Sequence, residues 1–141
     1  ETILHEKYGV DGSRLRVFGQ NQWSAPCASG THVADAMVVC PATMGAVAAI
    51  AHGTSDHLLE RAADVSIKEG RPLIIVPREA PLSAIHLENL LKLARLGVCV
   101  LPPSPGFYQH PKSVDDIVDF VVARILDQLR IPHDLLPRWG E

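Results

Sequence analysis

Three short apolar runs punctuate the chain at 36–40, 73–76 and 98–101, and none alternates cleanly between apolar and polar positions. A strand with one wet face alternates with a period of two. Unbroken runs of Val, Ile, Leu, Met and Cys predict strands covered on both faces. Each run meets proline at once, at Pro41, Pro77 and Pro102-Pro103. Proline has no N–H with which to extend a ladder, so each strand is expected to end there. A weaker run at 15–18 is a fourth candidate strand.

Between the runs the apolar period lengthens to that of a helix. Residues 43–52 are small and apolar, with Thr43 placed to cap the first turn and Gly53 to stop the last. Ser55 is expected to cap a helix over 55–69, which Gly70 ends, and a further helix over 82–96 ends at Gly97. The last, over 113–129, opens on Ser113 with Asp116 three residues later. Its Val114, Ile117, Val118, Val121, Ile125 and Leu129 fall on one arc. Strands alternating with helices predict βαβ units and a parallel sheet, which is the α/β class. No internal repeat or low-complexity segment interrupts the pattern, and the loops 20–32 and 102–111 are rich in Ser, Gly, Ala and Pro.

Composition narrows this picture only a little. At 141 residues, 47% hydrophobic and 21% charged, the chain suits one domain over residues 1–141 that needs no disulfide staple. A net charge of −3 argues against a general nucleic-acid binder, because neutralising phosphates needs a basic face. No run approaches the roughly 18 apolar residues of a membrane span. Cys27, Cys40 and Cys99 form no C-x-x-C pair. Cys40 and Cys99 sit in apolar runs, where cysteine acts as a small buried hydrophobe, and this points to a reducing, cytoplasmic compartment.

The candidate chemistry begins with Arg78-Glu79, directly after the 73–76 run. In open α/β sheets ligands bind beyond the carboxyl ends of the strands. A guanidinium there can clamp a phosphate and a carboxylate beside it can move a proton. The same pair equally makes a solvated turn or a salt bridge at the start of a helix. Arg61 and Lys68, seven apart, lie on one helix face with Asp64 between them, and local ion pairing explains them as well as ligand binding does. Arg124 lies at the margin of its apolar arc, where a snorkelling stem is the bland explanation. Tyr108 follows Pro105-Gly106-Phe107 in a loop and is either a phosphate ligand or a ring packed over a core edge. Thr43, Met44, Gly45 and Ala46 join a strand end to a helix start, where free N–H groups can receive an anion. Seven histidines raise the question of a metal, but none forms a recognisable ligand motif.

Several blocks in fixed order resemble the flavin prenyltransferase (UbiX) family. They are Glu60-Arg61-Ala62-Ala63-Asp64-Val65, Lys68-Glu69-Gly70-Arg71-Pro72-Leu73, Val76-Pro77-Arg78-Glu79-Ala80-Pro81-Leu82, His86-Leu87-Glu88-Asn89, Leu101-Pro102-Pro103, Gly106-Phe107-Tyr108 and the helix beyond Val114. The resemblance runs from about residue 15 to the end. It implies a flavodoxin-like Rossmann three-layer sandwich with a parallel sheet, assembled as a homo-oligomer, a dodecamer built from trimers. The implied reaction joins a dimethylallyl group from dimethylallyl phosphate to N5 and then C6 of reduced FMN, without a metal. The implied product, prenylated FMN, serves UbiD-type decarboxylases, one of them in ubiquinone biosynthesis.

By the same resemblance Arg78 contacts FMN, along with Thr43, Met44, Gly45, Ala46 and Ser29. Glu79 handles protons and the substrate phosphate. Arg61, Lys68, Tyr108 and Arg124 surround that phosphate, Ser29 and Gly30 line the prenyl site, and Trp139 closes the pocket. Two departures stand out. Many members carry Ser-x-x-Thr where this chain has Thr43-Met44-Gly45-Ala46, so one hydroxyl is lost at Ala46 and weaker flavin binding is expected there. The family's first strand and its Gly-Ala-Ser-Gly loop, which cradles the FMN phosphate, have no counterpart, and the chain opens at Glu1 without Met. A fragment or processed form is therefore expected; a protein truly lacking that portion should fold poorly and be inactive. Two rival readings follow, an FMN-dependent cysteine decarboxylase and an inactive flavin-binding fragment.

Overall fold

The computed structural model describes residues 2–10 and 12–136. Strands β1 (Met37–Ala42), β2 (Leu73–Pro77) and β3 (Cys99–Val100) form a parallel sheet in the order β1-β2-β3. All five residues of β2 are buried. Successive side chains point to opposite faces, so both faces of this central strand are covered, as its unbroken apolar run requires.

The prolines behave differently from the expectation. Pro41 lies inside β1 and Pro77 is the last residue of β2. The β1–β2 register shifts between Val39 and Ala42, so Pro41 falls at an irregularity of a strand with one neighbour. A missing N–H is tolerated there. The same irregularity leaves Cys40 exposed rather than buried in the core. The Cys40–Pro41 and Ala80–Pro81 peptide bonds are cis. The candidate strand at 15–18 is irregular chain, with Val17 exposed and the Arg16 guanidinium 5.1 Å from the Phe18 ring centre. With no sheet neighbour, its four residues cannot satisfy a ladder. The third run forms only the two residues of β3, although Leu101 N–H still donates to Ile75 O at 2.8 Å.

The helices are α1 (Thr2–Tyr8), α2 (Met44–His52), α3 (Leu58–Lys68), α4 (Ala84–Arg95) and α5 (Val114–Leu129). Only α1 lacks a forerunner in the pattern, and its Ile3 and Tyr8 are exposed. Helix α2 is capped by Thr43, whose hydroxyl accepts from Ala46 N–H at 3.2 Å, and ends at Gly53 with φ of 70°. The α3 cap is His57, not Ser55. Glu60 decides this: its carboxylate accepts the N–H groups of Asp56 at 2.8 Å and His57 at 3.3 Å, which starts the helix two residues later. Helix α4 is capped by Ser83, with His86 returning a bond to the Ser83 N–H at 3.2 Å.

At α5, Ser113 Oγ accepts from Asp116 N–H while the Asp116 carboxylate accepts from Ser113 and Lys112 N–H, a reciprocal cap. Ser113→Ala should cost about 1 kcal/mol, read as a lower urea midpoint at unchanged slope.

The core lies between the sheet and helices α2 to α4. Val39, Ala42, Met44, Val47, Ile50, Ala63, Leu73, Ile75, Leu90, Leu93 and Val98 form one buried cluster. Helix α5 contributes only Ala123 to the fully buried set. It lies along β3, where Cys99, Val100, Phe120, Val121 and Gln128 line a shallow groove.

Candidate active site

The sequence-predicted residues fall into three groups. The first is a ledge at the carboxyl ends of β1 and β2. Ala42 closes β1, and its carbonyl accepts from Arg78 N–H at 3.0 Å, which fixes the start of the Arg78-Glu79 turn against the first turn of α2. Arg78 and Glu79 are exposed, and Glu79 Oε1 accepts from Ala80 N–H at 3.2 Å. Met44 is buried beneath the ledge. The ledge is open at Gly45, where a Cβ would meet nothing closer than Thr43 Oγ1 at 3.9 Å. An open shelf with a helix N-terminus and a cation at its rim suits a planar anionic group.

The second group joins α3 to the loop before β1. Arg61 Nε donates to Ala28 O at 3.1 Å and its Nη1 pairs with Asp64 Oδ2 at 2.8 Å. The loop makes two short 3-10 turns, Pro26–Ala28 and Gly30–His32, and Ser29 between them accepts from Thr31 N–H. Lys68 pairs with its neighbour Glu69, whose carboxyl is held below the ordinary range, first by the Lys68 hydrogen bond and then by its charge. Gly30 packs directly onto this pair. A Cβ there would collide with the Glu69 carboxylate and sit 2.9 Å from Lys68 Nζ. A side chain there would have to displace the ends of the Glu69 and Lys68 side chains, so glycine leaves this pair in place.

The third group surrounds a cavity of about 630 Å³ between α5, the 105–110 loop and the segment after α5. Tyr108 and Arg124 line it, and neither group described above contributes to its wall. The Tyr108 and Phe120 rings meet edge to face, 6.3 Å apart at 86°. Gly106 permits this, since a Cβ there would press on both rings. Arg124 Nη1 donates to Asp127 Oδ2 at 2.6 Å, and Asp127 Oδ1 accepts from His133 Nε2 at 2.9 Å. The His133 hydrogen bond first, and the Arg124 charge with it, hold the Asp127 carboxyl below the ordinary carboxylate range.

A folded-state pKa below the unfolded value means that the stabilisation is complete above the unfolded value, about 4, and is lost as pH falls through the depressed one. Asp127→Asn should therefore lower the thermal midpoint at neutral pH and narrow its gap to the unsubstituted protein as pH drops below about 4. A gap that widens on acidification would contradict this.

Nothing in the spacing of the sequence marks Asp127, Arg130 and His133 as neighbours of this cavity. Arg130 adopts φ of 57° and turns the chain back, so that Ile131 N–H returns to Leu126 O at 3.0 Å. A glycine there would have signalled the reversal. Trp139 lies outside the described residues. Among the described residues no cluster of three or more His, Cys, Asp or Glu side chains could hold a metal ion, and no helix is long and apolar enough to cross a membrane.

The model of the Flavoprotein family matches residues 2–126. The chain is 58% identical over 141 residues to the flavin prenyltransferase UbiX of Pseudomonas aeruginosa, covering 100% of itself and 68% of that relative. Its fold is similar to that of AnUbiX (PadA1), solved in complex with FMN and dimethylallyl pyrophosphate, at a TM-score of 0.86 and 38% identity over 100% of this chain and 78% of the other. It is likewise similar to a dodecameric FMN-dependent UbiX-like decarboxylase from Escherichia coli O157:H7, at a TM-score of 0.85 and 44% identity over 99% of this chain and 78% of the other. An α/β chain with a cationic ledge at its strand ends, matched over its whole length at this identity, belongs to the flavin prenyltransferase (UbiX) family of flavoproteins.

Proposed function

We propose that this protein transfers a dimethylallyl group from dimethylallyl phosphate to reduced FMN, giving prenylated FMN and inorganic phosphate. The observation that carries this reading is the set of cations, Arg61, Lys68, Arg78 and Arg124, placed around surfaces open enough for a flavin and a phosphorylated donor. A cysteine decarboxylase has no phosphate leaving group to stabilise.

Reduced FMN supplies the nucleophilic N5 and C6. Thr43, Met44, Gly45 and Ala46 offer it the ledge, with Arg78 at the rim and Ser29 across from it. The donor's C1–O bond breaks, the electron pair leaves with phosphate, and C1 bonds to N5, whose hydrogen leaves as a proton; C3 then bonds to C6 as C2 takes up a proton and the C6 hydrogen leaves as one. Arg61, Lys68 and Arg124 stabilise charge developing on that phosphate, which fixed cations do without reorganising at the moment of reaction. Tyr108 adds a hydroxyl and an aromatic face, and such faces shelter allylic positive charge. Glu79 delivers a proton to the departing phosphate oxygen. Gly30 lines the prenyl site and Trp139 closes it.

The cavity that Tyr108 and Arg124 line shares no wall residue with the other two groups, so we propose that all three meet at one ligand between copies. Homo-oligomerisation then completes the site, and the dodecameric relative supports that reading. Residues 1–141 act as one flavoprotein domain in the cytoplasm, and a UbiD-type decarboxylase receives the product. The test is phosphate release from dimethylallyl phosphate under anaerobic conditions. It should require reduced FMN and stop with oxidised FMN. Release that ignores the flavin's redox state would sink the reading.

A further inference from the structure

Arg124 is a long, half-exposed side chain on the wall of an open cavity. Left to itself such a guanidinium samples many rotamers, and a ligand must then immobilise it. The structure has already immobilised it. Phe120, Arg124 and Asp127 lie on one stripe of α5 at spacings of four and three residues, which stacks them along a single face. Asp127 occupies Nη1 of the guanidinium and leaves its remaining N–H donors available. The second Asp127 oxygen is taken by His133, whose side chain is only 14% exposed.

The His133 ring is itself oriented. Leu135 N–H faces Nδ1 at 3.4 Å and Nε2 faces Asp127 Oδ1 at 2.9 Å, so both ring nitrogens have a partner. The segment after α5 thus reaches Arg124 through a chain of three bonds: Leu135 to His133, His133 to Asp127, and Arg124 to Asp127. Besides His133, the charged residues lining the cavity are Arg124, Arg130 and Asp127, a net balance in favour of an anion.

We infer that Asp127 is a positioning residue for the prenyl donor's phosphate, presenting the free donors of Arg124 to the cavity while His133 locks its second oxygen. This rests on the reading that Arg124 binds that phosphate.

Charge and geometry give opposite signs, which makes the inference testable. By charge alone, deleting an anion beside a phosphate site tightens binding. By geometry, deleting Asp127 releases Arg124 and weakens it. Geometry should win because the Asp127 carboxylate is half exposed, so water and salt screen its repulsion, whereas the lost orientation is not screened.

The experiment measures dimethylallyl phosphate binding by titration calorimetry on the FMN-loaded protein, alongside KM and kcat. Asp127→Ala should weaken donor binding and raise KM roughly ten-fold, with kcat and FMN affinity within about two-fold. Asp127→Asn, which keeps an acceptor for Nη1, should recover most of that loss. In an Arg124→Ala background Asp127→Ala should add almost nothing, and Asp115→Asn at the far end of α5 is the charge-matched control. Tighter or unchanged binding in Asp127→Ala, where Arg124→Ala weakens it, overturns the positioning role and leaves the transferase reading standing. An Arg124→Ala variant with unaltered donor binding overturns both the inference and the phosphate role of Arg124. Calorimetry scores these outcomes even in a protein that releases no phosphate.

Discussion

Glu79→Gln is expected to slow prenyl transfer by roughly 10²- to 10⁴-fold while the protein keeps its flavin, the usual range for removing one positioned acid or base. The substitution preserves size and an acceptor oxygen for the Ala80 N–H, so the turn after β2 survives. It removes the only carboxylate of the Arg78-Glu79 pair, and with it the proton that phosphate takes on leaving. A single-turnover experiment with the flavin already bound separates the two effects, because flavin absorbance reports occupancy and phosphate release reports chemistry. Turnover at the unsubstituted rate would remove Glu79 from the mechanism.

Leu93→Ala is expected to destabilise the protein by about 2–5 kcal/mol, the largest effect on stability that we anticipate. Leu93 is fully buried in the main cluster, and its helix packs across α2. Its carbonyl also receives the N–H groups of Leu96 and Val98, so the chain cannot easily collapse around the missing methyls without disturbing the turn into β3. The neighbouring Leu91 lies on the outward face and is exposed. Leu91→Ala should change the unfolding midpoint far less. Equal losses at the two positions would mean that the core does not lie where the burial pattern puts it.

The pairing of these residues shows what a sequence reveals and what it hides. The run at 73–76 marked a strand covered on both faces because its apolar residues do not alternate with polar ones and proline closes the run, and Arg78-Glu79 was legible because it follows that strand's end. The glycines at 53, 70 and 97 marked helix ends because each takes positive φ. Ser55 misled because serine is the better cap in isolation. Glu60 shifted the start to His57 by reaching back to two N–H groups, a choice between competing caps that pattern alone does not rank. The run at 15–18 had strand-like residues without a neighbouring strand, and neighbours are not written in a local pattern. Cys40 looked buried by composition, and a register shift beside Pro41 turned it outward.

The candidate site divides in the same way. Arg61, Lys68 and Arg124 could be found as cations on helices, but their partners could not all be. Asp64 was visible at helical spacing. His133 reaches Asp127 only because Arg130 reverses the chain in a conformation that glycine usually marks, and no glycine stands there. Gly30 gained meaning only once the loop was seen pressed against Lys68 and Glu69.

The most direct test of the proposed activity is the mass of the flavin itself. The full-length protein is incubated anaerobically with reduced FMN and dimethylallyl phosphate, and the extracted flavin is weighed by mass spectrometry. Flavin prenyl transfer predicts a gain of one five-carbon prenyl unit, dependent on both the protein and the donor. Flavin recovered at its original mass, from protein that has bound both ligands, would contradict it.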